Sequence, residues 1–229
     1  MSARPDGLLL VDKPPGVTSH DVVQLVRRAY GERSIGHLGT LDPFATGLLV
    51  LLIGHSTRLA TFIDTEPKVY EATFRFGHET DTDDCTGTVT NEANPPSADA
   101  IHKAIPALTG RISQMPPAYS AKSVDGVRAY DAARRGDAID LKPVDVEVKS
   151  WDITAERESE IDVTITCGTG TYIRALARDL GRATGSAAHL SGLRRVRSGV
   201  FDVRDASTFD QICSARPVLR KLSVVASDV

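Results

Sequence analysis

The apolar run at residues 48–53 is the feature that most restricts how this chain can fold. Its six residues, LLVLLI, include no polar side chain, so a strand built from them has to be buried on both faces. The segment directly before it, GHLGTLDPFATG at residues 36–47, sets a histidine and an Asp-Pro pair between glycines. A loop that leads into a buried strand is a rigid mount for a functional side chain.

Helices and strands are predicted along the whole chain without a regular alternation of the two. Thr18 or Ser19 can cap a helix through about Tyr30, because the apolar residues between them recur at the helical period. Residues 68–76, KVYEATFRF, alternate between apolar and polar side chains, which is typical of a half-buried strand. Several alternating strands follow one another, which favours an α+β fold with a mixed or mostly antiparallel sheet over a doubly wound parallel sheet. The further strands are expected at residues 7–11, 86–90, 144–148, 161–167 and 193–203, and the further helices at residues 56–64, 97–110, 127–135, 173–180 and 208–213.

Length and composition are those of a globular protein with one sizeable core. The chain has 229 residues, and neither an internal repeat nor a linker divides it, so we expect a single domain over residues 1–229. Its three cysteines lie far apart without CxxC spacing, which gives neither a disulfide framework nor a zinc site and suits a reducing cytosol. No apolar segment is long enough to span a bilayer. We therefore expect a cytoplasmic protein with no membrane anchor.

The charge balance restricts how the chain can bind a polyanion. The formal net charge is −3, so a polyanion has to be met by local basic clusters and not by the overall field. Any one cluster taken alone is better explained as a solvated face of a helix or strand. The candidate clusters are Arg27-Arg28, Arg134-Arg135, and Arg194-Arg195 with Arg197.

Asp42 is the candidate that is left when common motifs are tested. The glycine loop lacks the GxxxxGK[ST] pattern of a phosphate-binding loop. The acidic turn at residues 81–84 has Cys85 and Thr86 where a calcium loop needs an oxygen ligand and a glycine. An Asp before Pro often only opens a turn. A nucleophilic carboxylate would also need an arginine partner, which lowers its pKa by roughly 1–3 units, and residue chemistry alone does not identify that arginine.

Five segments of the chain closely resemble the motifs of one known family. GHLGTLDPFATGLL resembles the active-site motif, and GLLLVDKPPGVTSHDVV the N-terminal motif, of the bacterial tRNA pseudouridine-55 synthases, the TruB-type branch of the pseudouridine synthases. KVYEATFRFGHETDTDDCTG is similar to the family's tyrosine strand and acidic turn, and PPAYSAKSVDGVRAYDAARRG to its RNA-gripping thumb loop. CGTGTYIRALARDLG with AAHLSGLRR resembles the arginine segment and the later leucine. The five occur in family order over about residues 7–200, which is hard to explain by chance.

The resemblance implies the pseudouridine synthase fold, an α+β fold whose central sheet is mixed and mostly antiparallel, with a thumb loop at about residues 113–135. It also implies that the chain isomerises uridine 55 in the T-loop of tRNA. Asp42 would be the catalytic carboxylate, which attacks the ribose anomeric carbon or assists glycal formation. Arg174 would pair with Asp42. Tyr70 would stack on the flipped uracil and take part in proton transfer.

Four further residues are implied to bind RNA. His37 would fill the space that the flipped base leaves in the RNA stack, which offsets part of the cost of extrusion. Tyr172 and Leu193 would line the base pocket, and Lys13 would lie near the active site. On periodicity alone, Tyr70, Tyr172 and Leu193 are core residues, Arg174 is an exposed arginine at a helix start, and Lys13 is a turn lysine.

The implied partner is the T-arm of tRNA, whose unpaired loop exposes base edges that an A-form stem hides. The basic clusters and the thumb loop at about residues 113–135 would bind the phosphates of the RNA stem. Neither a metal nor an organic cofactor is implied, and we expect a monomer. We also expect no C-terminal PUA domain, because the chain ends about thirty residues after LRRVRSGVF. Two alternatives are a related synthase that acts on another tRNA or rRNA uridine, and an RNA-binding or tRNA-folding protein.

Overall fold

The computed structural model describes residues 4–120, 123–124, 127–128, 135 and 141–221. The strands in these residues are β1 (Gly7–Lys13), β2 (Ile35–His37), β3 (Thr46–Ile53), β4 (Lys68–Phe76), β5 (His78–Thr80), β6 (Val89–Glu92), β7 (Gly110–Gln114), β8 (Ser123–Val124), β9 (Val127–Arg128), β10 (Val144–Glu156), β11 (Glu160–Cys167), β12 (Ala188–Ser198), β13 (Phe201–Asp202) and β14 (Ser207–Thr208). The α-helices are α1 (Ser19–Tyr30), α2 (Ala98–Ala104), α3 (Ile173–Ala183) and α4 (Phe209–Ala215), and 3-10 helices cover Gly54–Phe62, Ile105–Leu108 and Val203–Asp205.

The chain forms two compact units. The first contains the residues up to Tyr70 together with those from Arg194 onward, and the second contains Glu71 to Leu193. The boundaries fall inside β4 and β12, so each of these two strands contributes residues to both units. The expectation of a single catalytic domain stays a prediction.

In the first unit, β3 is the central strand, and the order is β14-β1-β3-β12. β1 is antiparallel to β3 with Gly7 opposite Ile53, whereas β12 is parallel to it with Arg194 opposite Thr46. All six residues at 48–53 are 1% exposed or less, which confirms the prediction of a strand buried on both faces. Because side chains alternate along a strand, Leu49 and its neighbours on one face pack with α1, while the other face packs in a second apolar cluster with Phe201.

α1 forms where its capping signals predicted it. The Thr18 hydroxyl accepts a hydrogen bond from the Asp21 N–H (3.0 Å), and the Asp21 carboxylate accepts one from the Thr18 N–H (2.8 Å). This capping box satisfies two amide groups that the helix itself leaves unpaired. Gly31 ends the helix in the left-handed region at φ 66°, which glycine adopts without a Cβ penalty.

In the second unit, the strand order is β12-β4-β11-β10-β7. β10 is antiparallel to both β11 and β7. The alternation of β4 is confirmed, since Ala72, Phe74 and Phe76 are 5% exposed or less. The Phe74 ring meets Trp151 edge to face at 5.7 Å. The predicted fold class, α+β with a mixed and mostly antiparallel sheet, is therefore confirmed.

Three sequence predictions differ from the structure around the thumb segment. Gly110–Gln114 is strand β7, where the sequence predicted the end of a helix at residue 110 and the start of the thumb loop at about residue 113, because pairing with β10 and not apolar periodicity decides this strand. Val127–Arg128 is strand β9, antiparallel to β8, and not the start of a helix at residues 127–135. β10 continues to Glu156, eight residues beyond the predicted end of the strand. Ten of the 23 residues of the thumb loop expected at residues 113–135 lie outside the described residues.

The three cysteines, Cys85, Cys167 and Cys213, are free thiols, as their spacing predicted. Among the residues that the structure describes, no helix combines the length and the apolar character needed to cross a membrane.

Candidate active site

Asp42 lies in the first unit on the loop between β2 and β3, and its side chain is partly exposed. The backbone is anchored on both sides of it. The Ser19 hydroxyl accepts a hydrogen bond from the Leu41 N–H (2.9 Å) and donates one to the Leu41 carbonyl (3.1 Å). On the other side, the Pro43 carbonyl accepts hydrogen bonds from the Gly16 N–H (2.8 Å) and from Lys13 Nζ (3.1 Å). The carboxylate therefore projects from a loop that the DKPPGVTS segment holds in place.

Lys13 is fully buried, which differs from its interpretation as a turn lysine. Its ammonium donates to three carbonyls, those of Pro14 (2.9 Å), Val17 (2.7 Å) and Pro43 (3.1 Å). Burial lowers the pKa of Lys13 from 10.5 to about 8, while the negative charges of Asp42 and Asp21 act in the opposite direction. Lys13 thus places a buried positive charge close to Asp42, at an energetic cost that is offset in part by three hydrogen bonds.

Arg195 supports the same loop from β12, and sequence reasoning missed it. Its side chain is 1% exposed, and it donates from Nε to the Leu48 carbonyl (2.8 Å) and from Nη2 to the Gly39 carbonyl (3.0 Å). A Cβ at Gly47, where φ is +97°, would lie 2.3 Å from the Arg195 carbonyl oxygen. The glycines on either side of Asp42 are the sequence signal for this close approach, since only glycine fits such contacts at positive φ.

The cluster of Arg194 and Arg195 with Arg197 is therefore not a solvated basic face. Arg195 is buried, and Arg194 forms a two-pronged ion pair with Asp12 at 2.8 and 3.0 Å. Only Arg197 of the three is exposed. The basic surface predicted here is smaller than the sequence suggested, because burial and pairing depend on residues distant in the chain.

His37 and Tyr70 also belong to the first unit. His37 is at the end of β2, opposite Leu51, and it is partly exposed. Burial, followed by the positive charges of Arg195 and His20, lowers the pKa of the His37 imidazole, so the ring is neutral at pH 7. Its Nδ1 is buried and has no hydrogen-bond partner among the described residues. Tyr70 is 7% exposed on the inward face of β4, which confirms its core position.

Arg174 belongs to the second unit, in the first turn of α3, and it is 5% exposed. The interpretation as an exposed helix-start arginine is wrong. The Arg174 guanidinium donates hydrogen bonds from Nη1 to the Thr82 carbonyl (2.9 Å) and from Nη2 to the Tyr119 carbonyl (2.8 Å). Its Nη1 also lies 3.6 Å from the Asp84 carboxylate. These contacts fix the guanidinium between the acidic turn and the base of the thumb segment. Its predicted pairing with Asp42 stays a prediction.

The start of α3 is fixed by a glutamine that sequence reasoning missed. Gln114 is fully buried at the end of β7; its side-chain oxygen accepts from the Tyr172 N–H (2.8 Å), and its amide donates to the Tyr172 carbonyl (3.1 Å). Tyr172 and Leu193 are half-buried in this unit. The signal for Gln114 was weak, because a lone glutamine in a segment without apolar periodicity resembles a loop residue.

α3 presents one stripe of arginines, at positions four residues apart, to carboxylates of the acidic segment. Arg178 pairs with Asp83 at 2.7 Å, and Arg182 pairs with Glu79 at 2.7 Å. The Asp84 carboxylate accepts hydrogen bonds from the hydroxyl (2.6 Å) and the backbone N–H (3.0 Å) of Thr86, and these bonds close the acidic turn. The acidic turn is thus folded against arginines.

Four of the predicted residues belong to the first unit and three to the second. The first group is Lys13, His37, Asp42 and Tyr70, and the second is Tyr172, Arg174 and Leu193.

The fold is similar to that of chains in two solved complexes. One is the crystal structure of a Cbf5-Nop10-Gar1 complex, with a TM-score of 0.69 and 27% identity over 90% of this chain and 53% of that chain. Another is an H/ACA RNP bound to a substrate RNA containing 2'-deoxyuridine, with a TM-score of 0.66 and 25% identity over 90% of this chain and 51% of that chain. The chain spans about half the length of these two proteins.

Sequence comparisons define the family more narrowly. Residues 27–173 match the TruB family pseudouridylate synthase N-terminal domain, and residues 174–221 match the tRNA pseudouridylate synthase B C-terminal domain. The tRNA pseudouridine synthase B of Thermobifida fusca is 44% identical over 97% of this chain and 79% of its own length. The enzyme of the same name from Leifsonia xyli is 48% identical over 87% of this chain and 69% of its own length. The chain therefore belongs to the TruB family of pseudouridylate synthases.

Proposed function

We propose that this protein isomerises uridine 55 in the T-loop of tRNA to pseudouridine. The observation that carries the proposal is the placement of Asp42, a partly exposed carboxylate whose neighbours Leu41 and Pro43 are both held by hydrogen bonds to the N-terminal segment. Family membership and the name that the relatives share, tRNA pseudouridine synthase B, support tRNA uridine as the substrate.

In the proposed reaction, Asp42 assists cleavage of the bond between uracil N1 and the ribose C1', either as a nucleophile or by promoting a glycal. The uracil then turns within the site, and its C5 forms the new bond to C1'. The proton on C5 is released and N1 gains one, so the reaction balances without an oxidant, a reductant or a cofactor. A carboxylate that holds a sugar while its leaving group departs is the chemistry of retaining glycosidases.

The other predicted residues have assigned parts in this proposal. Tyr70 stacks on the flipped uracil, and Arg174 keeps the carboxylate of Asp42 ionised. Tyr172 and Leu193 line the base pocket. His37, whose ring is neutral at pH 7, fills the gap that the flipped nucleotide leaves, where stacking on bases offsets part of the cost of extrusion.

Release of tritium from C5-labelled uridine in tRNA transcripts tests the proposal directly. We expect release from an intact transcript and none from a matched transcript with cytidine at position 55. Release that survives this change would move the target to another uridine. Binding without release from either transcript would favour an RNA-binding or tRNA-folding protein, and the proposed function would be wrong.

We further propose that the enzyme acts as a monomer in the cytoplasm on the T-arm alone. A T-arm stem-loop RNA should then be modified about as well as the whole tRNA. Light scattering during gel filtration should give the mass of one chain, and a dimer mass would contradict the monomer.

Lys13 provides a pH-dependent test of how Asp42 is held. Its ammonium is protonated below its pKa of about 8 and loses a proton above it. The neutral amine keeps only two N–H groups for three carbonyls and no longer attracts the carboxylate of Asp42. We therefore expect the turnover number to fall as pH rises through about 8, when it is measured on saturating RNA between about pH 6.5 and 9.5.

The control is Lys13→Met, which has no titrating group at this position. Its turnover should be lower at pH 7 and should show no decline near pH 8. A wild-type profile that stays flat across this range, or the same decline in Lys13→Met, would show that Lys13 does not act through its charge.

A further inference from the structure

An open pocket of about 560 Å³ lies at the C-terminal end of α1, in the first unit. Three arginines and one glutamate are the charged residues in its wall, so the pocket is positively charged. The residues that line it are Gln24, Arg27, Arg28, Gly31, Glu32 and Arg33.

The three arginines of this pocket carry positive charge that the described part of the chain does not neutralise. Among the residues that the structure describes, no carboxylate forms an ion pair with Arg27, Arg28 or Arg33, and Nε of Arg27 is buried without a hydrogen bond. Glu32 offsets only one of the three positive charges, and its carboxylate accepts a hydrogen bond from the backbone N–H of Ser34 (2.8 Å), so the wall keeps a net positive charge. Unpaired guanidinium groups that lie together repel one another, and a bound anion would relieve that repulsion.

Stabilisation of α1 explains only part of the cluster. Arg27 and Arg28 are in the last turn of the helix, where positive charges interact favourably with the helix dipole. Arg33 lies beyond the helix end, and it adds a third positive charge that the dipole does not require. The helix therefore accounts for two of the arginines and not for the arrangement of all three.

The pocket is connected by short, rigid segments to the loop that carries Asp42. β2 begins two residues after Arg33 and ends at His37. At most about 13 Å of extended chain therefore separates Arg33 from His37. Pairing of β2 with β3 holds this segment in place. On the helix, His20 and Gln24 are hydrogen bonded at 2.8 Å, and with Arg28 they follow a spacing of four residues, which puts them on one face about 12 Å long. His20 is also close enough to His37 to lower the pKa of that imidazole.

We infer that this pocket binds a phosphodiester group of the RNA backbone that flanks the modified loop, which adds a contact to the proposed function and rests on it. The guanidinium group is planar and offers paired N–H donors that match phosphate oxygens. An RNA whose target base enters the site at Asp42 and stacks near His37 has its backbone within reach of the exposed face of α1.

The test compares two double variants that lose the same charge in the same unit. Arg28→Gln/Arg33→Gln removes two arginines of the pocket and leaves the partly buried Arg27 in place. Arg204→Gln/Arg220→Gln removes two exposed arginines that pair with Asp202 and Asp205. Dissociation constants for a fluorescein-labelled T-arm stem-loop RNA are measured by anisotropy over a series of KCl concentrations.

We expect the pocket variant to bind RNA about tenfold more weakly or worse at low salt. Its slope of log K against log salt should shrink by roughly 0.7–0.9 for each phosphate that the variant no longer binds. KM should rise while kcat at saturating RNA stays that of the wild type. The control variant should change affinity less than about threefold.

Equal losses of affinity in both variants would overturn the inference, because only the general field would then be involved. Unchanged affinity in the pocket variant would overturn it as well. Failure of the proposed function is recognised separately, since the wild type would then release no tritium from uridine 55 whatever the pocket binds.

Discussion

Replacement of Asp42 by asparagine is expected to abolish turnover while RNA binding is retained. The carboxamide has nearly the same shape but carries no negative charge, so it neither attacks the sugar nor stabilises positive charge at C1'. An interaction needed chiefly in the transition state is lost from kcat and not from binding. We expect kcat for tritium release to fall by about 1,000-fold or more and the dissociation constant for tRNA to change by less than about threefold.

The loop should keep its conformation in this variant, because its anchors are backbone groups of Leu41 and Pro43. Asp205→Asn is a matched control in the same unit, since Asp205 is exposed. That control should have wild-type turnover. Equal losses of binding and turnover in Asp42→Asn would show that the residue is structural, and near wild-type turnover would refute its catalytic part.

Local patterns predicted the elements that local chemistry determines. α1 begins at a capping box and ends at a left-handed glycine, and all the residues that fix these ends lie within the segment itself. β3 was predicted because six consecutive apolar residues allow few exposed conformations. β7 has no such pattern, since only its pairing with β10 makes Gly110–Gln114 a strand.

The candidate site shows the same division between local and distant causes. Asp42 was found by its position in a glycine-flanked loop and by the family resemblance. The state of Lys13 was not predictable from its turn, because its acceptor on Pro43 lies thirty residues away. Arg195 was taken for part of a basic surface, and only the parallel pairing of β12 with β3 places it under the Asp42 loop.

Replacement of Arg178 on α3 is expected to destabilise the protein more than any other single substitution in the arginine stripe of this helix. Its guanidinium pairs with Asp83 at 2.7 Å, and both side chains are about nine-tenths buried. It also donates to the Met115 carbonyl (2.8 Å) at the base of the thumb segment. Burial raises the pKa of Asp83 to about 6 while Arg178 lowers it, so the carboxylate is charged at pH 7. Arg178→Met leaves the carboxyl group of Asp83 buried without its ion-pair partner, which costs about 3–5 kcal/mol.

Urea unfolding at pH 7, followed by the fluorescence of Trp151, measures this cost, because the single tryptophan lies in the same unit as the pair. Arg157→Met is the control. Arg157 pairs with Asp162 at 2.7 Å but is 46% exposed, so its loss should cost less than about 1 kcal/mol. Addition of Asp83→Asn to Arg178→Met should recover most of the stability, since no unpaired charge is left and asparagine tolerates the positive φ of 59° at this position. If Arg178→Met costs no more than the control, or if the second substitution recovers nothing, the pair does not hold the acidic turn against α3.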